Sequence, residues 1–221
     1  MNDMRFVTLR KAMVDSQIRP NKVIDDQVIE AFSTVPRELF VNRQMQELAY
    51  IDEDLHLSGG RFIIEAMVMA RMVQALKLSL SDNVMCIGAG NGYGAAILSS
   101  LAASVIAVET RIQMVEKAQQ IVAGLDIGNV AVVKSRLQDG YPSEAPYQGI
   151  IIEGGVEYVP QALFDQLSDG GHLVCVLRPR GLDVGEAMIW HKRSDHVTRK
   201  ALFTAQVPVL DEFKLKPKFA F

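Results

Sequence analysis

The chain has 221 residues, 49% of them hydrophobic and 22% charged, which suits one soluble globular domain with a core of useful size. A net charge of −3 and scattered basic residues argue against a nucleic-acid binder, and no apolar run is long enough to span a bilayer. Cys86 and Cys175 lie in apolar runs without a spacing motif, and the polar Met1–Arg10 lacks a signal-peptide core, so a reducing, cytoplasmic setting without disulfide or metal is expected.

In chain order, the first eighty residues look helical. Asp25 suits the cap of a helix carrying Val28, Ile29 and Phe32 on one face. Pro36 suits the first turn of a short helix through Leu39 and Phe40. A loop with Gly59 and Gly60 follows, and then Met67, Ala70, Val73 and Leu76 recur at helical spacing as core filler. The pattern changes at Ser81. Val84 to Ile87, Val105 to Val108, Val130 to Val133, Gly149 to Ile152 and His172 to Leu177 read as strands. Helices are expected at Ala95 to Leu101, Arg111 to Val122 and Pro160 to Leu167. This alternation predicts an α/β fold with a doubly wound, mostly parallel sheet. Glu186 to His191 and Val197 to Ala205, split by the polar turn Arg193-Ser194-Asp195, read as a C-terminal antiparallel hairpin. Residues 1–80 form an N-terminal helical extension packed on a core of residues 81–221, one structural domain overall.

The first core strand runs into Gly88-Ala89-Gly90-Asn91-Gly92-Tyr93-Gly94. Glycines there let the backbone turn sharply and approach a ligand closely, and the following helix offers free amides. Glu109 closes the second strand, 21 positions after Gly88, where a carboxylate accepts hydrogen bonds from ribose hydroxyls. Gly90, Gly92 and Ala95 also satisfy the dinucleotide spacing G-x-G-x-x-A, so spacing alone does not exclude a dinucleotide.

The chain resembles the protein-L-isoaspartate O-methyltransferase family over almost its whole length. The carrying strings are Met13-Val14-Asp15-Ser16-Gln17-Ile18, Val35-Pro36-Arg37-Glu38-Leu39-Phe40-Val41, Leu48-Ala49-Tyr50, Ala70-Arg71-Met72, the glycine turn, Ala145-Pro146-Tyr147, and Leu167-Ser168-Asp169-Gly170-Gly171-His172-Leu173. The resemblance implies the seven-stranded S-adenosylmethionine-dependent methyltransferase fold. It also implies transfer of a methyl group from S-adenosylmethionine to isoaspartyl carboxylates of damaged proteins or peptides, a repair activity. Such an acceptor is already an anion near pH 7, so the reaction needs positioning and water exclusion more than a general base. The implied donor-binding residues are Ile87, Gly88, Ala89, Gly90, Gly92, Tyr93, Glu109, Thr110, Arg136, Leu137 and Glu153.

The chain departs from the family in functional segments. The family's Thr-Ile-Ser-Gln-Pro loop matches Phe62-Ile63-Ile64-Glu65-Ala66. Ile64 therefore replaces the functional serine, and Glu65 brings a negative charge to the acceptor side. Cys86, Arg136 and Gln148 stand where the family carries acidic residues. Three readings follow: an isoaspartyl methyltransferase, a methyltransferase for another acceptor, and a non-catalytic member that binds a ligand or partner as a scaffold.

Overall fold

The structure, a computed structural model, describes residues 4–215. The described residues contain six α-helices: α1 (Met4–Met13), α2 (Asp26–Thr34), α3 (Ala66–Leu76), α4 (Tyr93–Ser99), α5 (Ile112–Gly124) and α6 (Gln161–Asp165). A two-stranded hairpin pairs β1 (Leu55–His56) with β2 (Phe62–Ile63). The main sheet contains β3 (Asn83–Ile87), β4 (Ser104–Glu109), β5 (Val130–Lys134), β6 (Tyr147–Val156), β7 (Leu167–Leu177), β8 (Gly185–Arg193) and β9 (His196–Ala205). Among the described residues, no helix is long and apolar enough to cross a membrane.

The sheet order is β5-β4-β3-β6-β7-β8-β9. The first five strands in that order pair in parallel, and β8 and β9 close the edge as an antiparallel hairpin. This is the doubly wound, seven-stranded sheet that the alternating pattern predicts. Its topological switch lies between β3 and β6, where an open α/β sheet leaves a crevice at its carboxyl edge. The strands read as unbroken apolar runs because helices cover both faces: Val84 to Ile87 and Ile150 to Ile152 are fully buried.

Local chemistry explains the N-terminal helices. The Asp25 carboxylate accepts hydrogen bonds from the Gln27 and Val28 amides and starts α2. Val28, Ile29, Ala31 and Phe32 then face inward. Met69, Ala70, Met72, Val73 and Leu76 do the same on α3. These residues and the sheet share one hydrophobic cluster. Arg37 is wholly buried, donates to the carbonyls of Ala49 (2.8 Å) and Ile64 (3.0 Å), and stacks over the Tyr93 ring.

Most element ends differ from the expected boundaries by a few residues, as where α4 spans Tyr93–Ser99 rather than Ala95 to Leu101, and three differences are larger. The helix expected over Pro160 to Leu167 is only five residues long, because Leu167 pairs with Tyr147 and already belongs to β7. Strand β6 runs from Tyr147 to Val156 rather than Gly149 to Ile152, with a register shift between Ile151 and Gly155. The loop holding Gly59 and Gly60 is the turn of the β1–β2 hairpin, closed by Leu57 N–H donating to the Arg61 carbonyl at 2.7 Å. Both glycines adopt positive φ there (67° and 70°).

Candidate functional site

Strand β3 ends at Ile87, and the turn that follows has positive φ at Gly88, Gly90 and Gly92 (77°, 54° and 92°). L-residues with a Cβ rarely adopt that conformation, so the spacing of glycines is a requirement of the turn. The Gly88 and Ala89 amides donate to the Val108 carbonyl and hold the turn against β4. Glu109, at the end of β4, is fully buried at the carboxyl edge of the sheet. The topology thus gathers Ile87, Gly88, Ala89, Gly90, Gly92, Glu109 and Thr110 at the carboxyl edge of the neighbouring strands β3 and β4. Leu137 joins them: it is buried, with Cδ1 3.8 Å from where a Gly88 Cβ would stand.

Three of the expected residues turn their side chains elsewhere, although the Glu153 backbone carbonyl lies 3.7 Å from where a Gly88 Cβ would stand. Arg136 turns outward, 75% exposed, and pairs with Asp139 at 3.6 Å. Tyr93 opens α4 but packs its ring against Phe32, Phe40 and Arg37. Glu153 lies in the shifted part of β6 and turns into the core over Gly94, whose Cβ would meet its Oε1 at 2.0 Å. Cys86 Sγ donates to Glu153 Oε1 at 2.5 Å. Burial lifts the Glu153 pKa to about 8 and pushes the Cys86 thiol well above its ordinary value, so both side chains are mainly neutral at pH 7. The core therefore holds a mainly neutral carboxyl beside a mainly neutral thiol.

The crevice itself is filled by the chain. Arg61, projecting from the β1–β2 turn and only 2% exposed, spans Glu109 with Nε to Oε2 (2.8 Å) and Nη2 to Oε1 (3.0 Å). Its Nη2 also reaches Glu212 Oε1 at 2.6 Å and Thr110 Oγ1 at 3.1 Å. Burial pulls the guanidinium pKa down, but its bonds to Glu212 and Glu109 more than offset this and raise it. The Glu109 carboxylate also accepts from the Gly90, Thr110 and Arg111 amides. Both of its oxygens are engaged. Leu210 occupies the space beside the turn: its Cδ1 is 3.1 Å from where a Gly88 Cβ would stand, and its Cγ is 2.5 Å from the matching position on Gly154. Leu57 closes over Gly90 in the same way at 3.2 Å. Ribose hydroxyls have no free carboxylate oxygen here, and the space beside the glycines is taken by leucine. In this arrangement the residues do not fit S-adenosylmethionine.

Arg61, Leu210 and Glu212 are the site residues that sequence reading misses. Positions 61 and 212 are 151 residues apart, no motif links them, and an arginine after two glycines reads as a solvated loop.

The surroundings of Ile64 and Glu65 are acidic. Ile64 is buried, and its backbone carbonyl is bound by Arg37. The Glu65 amide donates to Asp54 Oδ1 at 2.8 Å, which draws the two acids together. Burial raises the Glu65 pKa, and the charges of Asp54 and Asp52 raise it further. A cleft of about 530 Å³ opens here between Glu53, Asp54, His56, Glu65, Arg178 and Gln206.

The model of the protein-L-isoaspartate(D-aspartate) O-methyltransferase family matches residues 8–213. A protein-L-isoaspartate O-methyltransferase of Methanoculleus marisnigri is 37% identical over 171 residues, 77% of this chain and 78% of that protein. One from Koribacter versatilis is 32% identical over 212 residues, 96% of this chain and 91% of its relative. Two solved structures share the fold. A protein-L-isoaspartate O-methyltransferase superposes with a TM-score of 0.81 at 24% identity, covering 91% of this chain and 65% of that one. A Plasmodium falciparum structure in complex with S-adenosyl-L-homocysteine superposes with a TM-score of 0.75 at 17% identity, covering 92% and 98%. The chain thus belongs to the protein-L-isoaspartate(D-aspartate) O-methyltransferase family, a family of S-adenosylmethionine-dependent O-methyltransferases.

Proposed function

We propose that this chain is a methyltransferase of its family whose acceptor is neutral or cationic rather than an isoaspartyl carboxylate. Family membership and the retained pair of glycine turn and Glu109 support the methyl-transfer class. The observation that carries the acceptor class is the carboxylate cluster beside Glu65, with Glu53 and Asp54 in the same cleft. Two like unit charges 4 Å apart repel by about 4 kcal/mol at an effective dielectric of 20. Arg178 and His56 only partly balance three acids, and Ile64 offers no hydroxyl to orient a carboxylate. A cationic or polar neutral group meets no such penalty.

The reading is tested by labelled methyl transfer to an isoaspartyl peptide, measured for the unmodified chain and for Ile64→Ser with Glu65→Gln. Both are also assayed with Leu210→Ala, so that donor access does not limit the result. We expect weak or absent isoaspartyl methylation in the unmodified chain and at least a tenfold gain in the double variant. Turnover by the unmodified chain equal to that of a relative with the serine loop intact would sink the reading. A second reading, a non-catalytic member, is favoured by the occupation of Glu109 by Arg61. Absence of donor binding in every variant, including those with the crevice opened, would select it.

A further inference from the structure

The C-terminal segment that fills the crevice has the features of a releasable occupant. Val207, Leu210 and Phe213 are all fully buried, yet the stretch contains only an isolated bridge, Gly155 to Val209, and one 3₁₀ turn, Asp211–Phe213. Its backbone is tied to β6 and the loop beyond by a few bonds: Gly155 N–H to the Pro208 carbonyl (2.8 Å), Leu210 N–H to the Gly155 carbonyl (3.0 Å), and Glu157 N–H to the Phe213 carbonyl (3.1 Å). Short irregular segments with few such ties open locally at a lower cost than the core around them. The side-chain fastening centres on one charged cluster, with Gln138 Nε2 also donating to the Glu212 backbone carbonyl and the Tyr158 ring packed on Phe213. Arg61 sits between Glu109, which belongs to the sheet, and Glu212, which belongs to the segment. Glu212 Oε2 also lies 3.2 Å from Arg61 Nη1, so two guanidinium nitrogens hold this one side chain.

Beneath this fastening lies everything a strand-end ligand needs. The glycine turn keeps its positive φ values, and Glu109 keeps the amides of Gly90, Thr110 and Arg111 around it. Leu210 rests where a ligand would approach the bare backbone of Gly88 and Gly154. An apolar side chain needs none of the buried carboxylate at the strand end, and the arginine that neutralises that carboxylate is the same group that ties down the segment.

We infer that Val207–Phe213 is an internal occupant of the donor site, latched by Arg61 between Glu109 and Glu212, and that S-adenosylmethionine binds only when this segment leaves. The inference rests on the methyl-transfer reading, but its test reads binding and backbone protection rather than turnover, so each can fail alone. The apparent affinity for the donor equals the intrinsic affinity reduced by the open fraction. Weakening the latch therefore tightens binding without touching the glycines or Glu109.

The experiment titrates S-adenosyl-L-homocysteine calorimetrically into the full chain, into Glu212→Gln, and into Glu212→Gln combined with Leu210→Ala, with melting curves confirming that each is folded. Loss of a hydrogen bond between charged groups corresponds to about a ten- to hundredfold change in an equilibrium. We expect the latch variants to bind at least tenfold more tightly than the unmodified chain. Hydrogen–deuterium exchange supplies a measurement that needs no variant: saturating S-adenosyl-L-homocysteine should speed exchange of the Gly155 and Leu210 amides. Tight binding by the unmodified chain with those two amides still protected would overturn the inference. Equal affinities across the three proteins, or no binding by any of them, would overturn it too.

Discussion

Replacing Glu153 by Gln should remove a pH dependence that burial builds into the stability of this fold. The folded Glu153 carboxyl titrates near 8, against 4.5 for an ordinary glutamate, chiefly because burial penalises the charged form. Below about pH 4.5 the group is protonated in both folded and unfolded chains, and nothing is lost. Between about pH 4.5 and 8 the unfolded chain releases a proton that the folded chain retains, so stability falls as pH rises. Above about 8 the folded carboxyl ionises as well, and the full loss is in place. At about 1.4 kcal/mol for each tenfold change in proton affinity, the displacement from 4.5 to about 8 makes that loss several kcal/mol. A domain of this size has a net stability of about 5–15 kcal/mol, so the effect is large enough to measure. The neutral glutamine has nearly the same shape and meets the same neighbours, Cys86 and Gly94. Urea unfolding followed by the fluorescence of buried Trp190, the chain's one tryptophan, measures the difference from pH 4.5 to 8.5. Glu153→Gln should match the unmodified chain within about 1 kcal/mol at pH 4.5 and exceed it by several kcal/mol at pH 8.5. Parallel pH profiles for the two proteins would refute the argument that Glu153 is neutral in the core.

Two further substitutions test the supports of the site. Arg37→Ala should lower stability by about 3 kcal/mol or more, because the Ala49 and Ile64 carbonyls lose a buried charged donor; a loss under about 1 kcal/mol in denaturant unfolding would show that water replaces the guanidinium. Asp25→Ala should cost about 1 kcal/mol by removing the α2 cap, and Asp25→Asn or Asp25→Ser should restore most of it in thermal melts.

The sequence by itself determined the sheet and the turn. Apolar runs of four to six residues between helical stretches leave a chain of this length few options besides a parallel sheet covered on both sides. Glycines at 88, 90 and 92 are legible because only they adopt the backbone angles that the turn needs. Glu109 is legible because a strand ends there, and Asp25 because a helix begins after it. Ile64 and Glu65 stand out in the sequence because their chemistry differs from what the family resemblance implies for that loop.

Only the tertiary structure decided what lies in the crevice. Arg61 and Glu212 reach Glu109 and Arg61 respectively through folding of the β1–β2 turn and the return of the chain past β6. Leu210 is an ordinary apolar residue in sequence, and its place against Gly88 and Gly154 follows from that same return. Glu153 reads as a strand-end acid, but it lies in the irregular part of β6 with its side chain buried, and burial raises its pKa. Periodicity reports which face a residue presents to its own element. It carries no information about which distant side chain meets that face, and here such meetings decide what fills the space beside the glycine turn.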